Sequence, residues 1–106
     1  MKTFTFNKAA TSVLEGAPLV RIRIRNGVVE IRPTNRTKGL SNLKKTVDVV
    51  VPVAPHGRDG ARVRMQETIV GSENLEAGKM ELVAGKYGWL RLEAASTKRG
   101  PLVTVA

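Results

Sequence analysis

The 106-residue chain has no cysteine, a single histidine and four aromatic residues, Phe4, Phe6, Tyr87 and Trp89. Without cysteine there is neither a disulfide framework nor a thiolate metal site, and the chain suits a reducing compartment, so a cytoplasmic location is expected. So few rings oblige the core to be built from Val, Leu, Ile and Ala. No stretch approaches the roughly 18 apolar residues of a membrane span, and no membrane partner is expected. Residues 1–10 place Lys2, Asn7 and Lys8 among two phenylalanines and lack the apolar segment of a secretion signal.

Catalytic constellations are equally sparse. His56 stands alone in the turn-forming run His56-Gly-Arg-Asp-Gly60 with no thiol to partner it. The carboxylates are scattered, and no phosphate-loop, dinucleotide, EF-hand or paired-histidine spacing occurs. A protein that is not an enzyme, with no metal and no cofactor, is therefore expected.

Acidic residues are in short supply too, 9 against 18 Lys and Arg, for a formal charge of +9. The imbalance is local: residues 1–65 hold 13 Lys/Arg against Glu15, Glu30, Asp48 and Asp59, whereas residues 66–106 hold five of each sign. Such asymmetry is what a surface presented to a polyanion requires.

What the sequence has in abundance is two-residue alternation. Leu19–Arg25 and Val28–Arg32 flank Asn26-Gly27, the pair that supplies the positive φ angles of a type I′ turn, and together they predict a β-hairpin. Strands are also predicted at 3–6, 46–53, 61–70, 79–83, 89–93 and 102–106, with Phe4 and Phe6 in the core and Pro52 marking an edge or strand end. Asn7 is placed to cap a short helix that stops at Gly16, and 72–78 suits one further turn. The length accommodates one core, hence a single domain over 1–106. The expected fold is mainly β, a small antiparallel barrel or a strongly bent sheet or sandwich of about six to seven strands with one short helix.

The Asn-Gly turn fixes the hairpin register, pairing Arg25 with Val28, Ile24 with Val29, Arg23 with Glu30, Ile22 with Ile31 and Arg21 with Arg32. One face is then aliphatic, and the other gathers Arg21, Arg23, Arg25 and Arg32 with Glu30 as the sole acid. Arg21 opposite Arg32 is a like-charge pair that works against stability unless an anion lies between them, and guanidinium is suited to phosphate. The alternative role for these side chains is a solvated face that shields the strands from aggregation. The segment that follows adds Arg36, Lys38, Lys44 and Lys45 without an acid, and Arg62 and Arg64 extend the field if their strand lies nearby. Alternation turns Trp89 outward beside Arg91, where it is either a platform for a stacked base or a cap on the open end of the core. Tyr87 is a second ring for stacking.

These features predict a non-enzymatic nucleic-acid-binding protein that favours single-stranded DNA over RNA. Phosphate contacts would come from Arg21, Arg23, Arg25, Arg32, Arg36, Lys38, Lys44, Lys45, Arg62 and Arg64, with Trp89 stacking. The alternative is a small structural or inhibitory protein, of virion or phage type, that binds an acidic protein surface. A homodimer formed through the Val47–Val53 strand is a further expectation, because a small sheet leaves edges in need of cover.

Overall fold

The Asn-Gly turn forms as its sequence requires, with φ of 52° at Asn26 and 77° at Gly27. It joins β2 (Leu19–Arg25) to β3 (Val28–Thr34) in the predicted register, including Arg21 opposite Arg32. The computed structural model describes residues 2–36, 47–65, 69–96 and 99–106. Around this hairpin the other strands are β1 (Lys2–Phe6), β4 (Asp48–His56), β5 (Gly60–Met65), β6 (Gly78–Ala84), β7 (Leu90–Ala94) and β8 (Leu102–Val105). They close an antiparallel barrel in the order β1-β5-β4-β2-β3-β7-β6-β8, with β8 returning to β1.

The barrel has eight strands rather than six or seven, and both terminal segments, expected as strands, are members of the wall. β1 pairs along its length with β5 and, from Phe4 to Phe6, with β8. Its alternation sends Phe4 and Phe6 to the centre, where they are fully buried with Val20, Ile22, Ile31, Val63, Met65 and Val103. Burying a side chain of this kind stabilises a fold by roughly 1.5–3 kcal/mol, and the interior consists almost wholly of such groups.

Two features close the ends. Asn7 caps α1 (Lys8–Val13) by accepting the Ala10 amide proton at 2.9 Å, and the same oxygen accepts from Leu102 N at 3.1 Å. The cap thus fixes the helix to the start of β8, and Ala10 and Leu14 are buried against the strands. At the other end, Ile69 and a single 3₁₀ turn at Ser72–Asn74 fill the mouth. There a β-carbon on Gly71 would stand 3.1 Å from Ile24 Cγ2, at a φ of 93°. Of the strand expected over 61–70, β5 covers the part up to Met65, residues 66–68 lie outside the described residues, and Ile69 is buried in the core.

In the strand order β4 lies between β2 and β5, facing β2 over Asp48–Pro52 and β5 over Val53–His56. Pro52 is tolerated in mid-strand because β4 changes partner there, pairing with β2 up to Pro52 and with β5 from Val53. Among the described residues, no helix is long and apolar enough to cross a membrane.

Candidate nucleic-acid interface

Closure divides the outer surface into two halves. The first is formed by β4, β2, β3 and β7, which carry the arginines of the hairpin and Trp89. Register aligns Asp48, Arg23, Glu30 and Arg91 in one row across the four strands, so that charge alternates in sign from each strand to the next. Cross-strand pairs of opposite sign stabilise a sheet by roughly 0.2–1 kcal/mol each.

The contacts follow the row. Arg23 donates from Nε to Glu30 Oε1 at 2.9 Å and from Nη2 to Oε2 at 3.5 Å. The same guanidinium lies over Trp89, its carbon 3.8 Å from the ring centroid. Arg21 does not face Arg32 as an uncompensated pair, because both Nε and Nη2 donate to Asp48 Oδ2. Its guanidinium also lies 5.8 Å from the Trp89 centroid.

Trp89 points outward, as alternation predicts, yet it is only 6% exposed. Neither role anticipated for it holds in this geometry. It does not plug the core, since it stands outside the central apolar cluster, and its ring is not an open platform, since Arg23 occupies the stacking position. Among the described residues, Val50 is the other buried hydrophobic residue outside the central cluster, and it lies opposite Arg21. The stems of long cationic side chains cover apolar surface while their heads remain in water. Here they roof a second, external patch of apolar surface.

Cations without an acidic partner remain along the hairpin, from Arg25 beside its turn to Arg32 and, past the end of β3, Arg36. Arg25, Arg32 and Arg36 are exposed, and none has a carboxylate within ion-pair distance among the described residues. The β6–β7 turn comes back against Arg32 and shares a groove with Arg25. It is tight, with Gly85 N donating to Trp89 O at 2.7 Å, and a β-carbon on Gly85 would meet that oxygen at 2.7 Å. Tyr87 adopts a φ of 57° and Gly88 one of 81°, and a β-carbon on Gly88 would lie 3.6 Å from Arg32 Nε.

Between the two hairpins runs an open groove of about 780 Å³, whose lining includes Arg23, Arg25, Glu30, Lys86, Tyr87 and Arg91. Tyr87 is 87% exposed and is therefore the aromatic surface accessible to a ligand. Arg91 is shared with Glu93 at 3.2 Å. Lys86 was not singled out from sequence. The signal for it is the pairing of β3 with β7, which the local pattern does not encode.

Arg62 and Arg64 fall elsewhere. They project from β5, which β4 separates from the hairpin, so they belong to the other half of the barrel. Lys38, Lys44 and Lys45 lie outside the described residues. The structure thus brings together Arg21, Arg23, Arg25, Arg32 and Trp89, with Arg36 following the end of β3, and adds Lys86 and Tyr87. Comparison of the chain with protein-family models, with curated proteins and with solved structures returned no match, so a functional reading rests on this geometry and charge.

Proposed function

We propose that the protein binds single-stranded nucleic acid without catalysing a reaction. In this reading Arg25, Arg32, Arg36 and Lys86 contact phosphates, and Tyr87 stacks on a base. The observation that carries it is the 87%-exposed Tyr87 ring in one groove with Arg25 and Lys86. An exposed ring flanked by cations suits a strand whose bases are unpaired, because every base offers a π-face and a duplex hides it. Guanidinium and ammonium groups on the same rim would neutralise the backbone with little sequence preference. Arg21 and Arg23 serve this site indirectly by holding the wall that carries it.

The test is fluorescence anisotropy with labelled single-stranded and duplex oligonucleotides, DNA and RNA, at about 50 and 200 mM salt. Binding to single strands in the micromolar range or tighter, weakening with salt, is expected. Tyr87→Ala should lower single-strand affinity by about 5- to 100-fold, the worth of one stacked base, and leave duplex affinity unchanged. If none of the four nucleic acids binds wild type at the lower salt, the reading fails, and an acidic protein surface becomes the partner to seek.

A further inference from the structure

The second half of the barrel, formed by β5, β1, β8 and β6, is built differently. Register places Arg62 opposite Thr5, Thr5 opposite Thr104, and Thr104 opposite Lys79. Their inward neighbours are the core residues Phe4, Phe6, Ala61, Val63, Val103 and Val105, so alternation turns all four members of this row to the outside. The row has a cation at either end and two hydroxyls between. At ~4.8 Å per strand it spans about 14 Å. One step along β5 and β1, Arg64 stands opposite Thr3 and repeats the arrangement.

Acids are scarce on this wall. Among the described residues, the outward positions of β5, β1 and β8 include no Asp or Glu. Glu81, outward on β6, accepts from Ser96 Oγ at 2.8 Å. Arg62, Arg64 and Lys79 have no carboxylate within ion-pair distance among the described residues. The row also borders a concavity of about 450 Å³, whose lining includes Thr5, Lys8, His56, Lys79 and Thr104. Asp59 and Glu81, the acids nearest to it along the chain, do not line it.

Free cations interleaved with hydroxyls along a shallow groove match the chemistry of a phosphodiester backbone, which is anionic at regular intervals and accepts hydrogen bonds from Ser/Thr hydroxyls. The outward positions of β5, β1, β8 and β6 carry no Phe, Tyr or Trp among the described residues, and His56, at the end of β4, is the exposed ring beside the concavity. We infer that this wall is a second nucleic-acid track, which grips backbone alone through Arg62, Arg64, Lys79, Lys8, Thr5 and Thr104. The inference rests on the reading that the partner is nucleic acid. Because the two tracks occupy opposite halves of one barrel, each chain engages two strand segments at once.

Native mass spectrometry and anisotropy with oligothymidylates of about ten nucleotides, long enough for one site, test it. Two oligonucleotides per wild-type chain are expected. The variant Arg62→Gln/Arg64→Gln/Lys79→Gln, which keeps side-chain length, should bind one, and its salt slope should be shallower by about two, at ~0.7 per cation for single strands. Its melting temperature and Trp89 emission should match wild type, showing that the barrel and the opposite wall are intact. Should these substitutions unfold the chain, Arg64→Glu/Lys79→Glu at the two exposed positions replaces them with the same expectation.

A triple variant that still binds two oligonucleotides with an unchanged slope overturns the second track and leaves the Tyr87 groove standing. Binding that is lost in the triple variant but kept in Lys86→Gln/Tyr87→Ala upholds the second track and overturns the Tyr87 groove. Polyglutamate binding to this wall as tightly as oligothymidylate reassigns it to an acidic protein. Absence of any binding by wild type overturns both readings.

Discussion

The two halves of the barrel wall carry similar numbers of cations and use them in opposite ways. On the β4-β2-β3-β7 side, Arg21 and Arg23 are held by Asp48 and Glu30 and roof Trp89 and Val50. On the β5-β1-β8-β6 side, Arg62, Arg64 and Lys79 stand among threonines with no acid in the row. The richer cluster of arginines is thus the less available one. What a polyanion meets depends on the charge left after neighbours are satisfied, and that is decided across strands rather than along them.

The contrast is broken most severely at Trp89. Trp89→Ala removes the surface that Arg23 and Arg21 cover, and a loss of about 3 kcal/mol is expected by analogy with large-to-small changes at buried sites. Chemical denaturation measures it directly. A loss under 1 kcal/mol would mean that the roof is decorative.

Arg23→Ala and Arg64→Ala sharpen the contrast as a pair. The first exposes Trp89 and leaves Glu30, 15% exposed at its side chain, without its fork, so about 1–3 kcal/mol should be lost and Trp89 emission should shift to the red. The second removes an exposed cation and should change stability by no more than about 0.5 kcal/mol. Equal stability effects would erase the distinction between the walls.

The smallest expected effect comes from Asp48→Asn. The Arg21 side chain is 47% exposed, so weakening its ion pair costs well under ~1 kcal/mol. The same change frees a guanidinium, and oligonucleotide affinity at low salt should rise by a few-fold. Unchanged affinity would show that Arg21 lies off the path of the strand.

How much of this was legible in the sequence follows the distance over which each feature is decided. The first hairpin was readable to the residue, because Asn26-Gly27 fixes the turn and the turn fixes the register. The cap at Asn7, the inward Phe4 and Phe6, and the second hairpin were readable for the same local reason. Strand order was not: β5 could have lain beside β2 or apart from it, and nothing in residues 60–65 decides between them. The state of Trp89 was hidden likewise. Alternation gives its direction, but its cover comes from Arg23, two strands away across the pairing of β3 with β7. The neutralisation of Arg21 by Asp48 depends on β4, which follows β2 by more than twenty residues.

The seam of the barrel has a consequence for how the chain is made. Thr3 and Ala106 exchange both backbone hydrogen bonds, at 2.8 and 2.9 Å, and Asn7 holds Leu102 and Gly100. β1, which is synthesised well before β8, is therefore enclosed only when β8 has been made. Until residues 102–105 emerge, β1 presents Phe4, Phe6 and one unpaired backbone edge to its surroundings. A wall whose closing contacts lie a whole chain length apart has high contact order, and such topologies fold slowly. Unpaired strand edges and exposed apolar side chains of this kind are what makes partly made β proteins prone to aggregate.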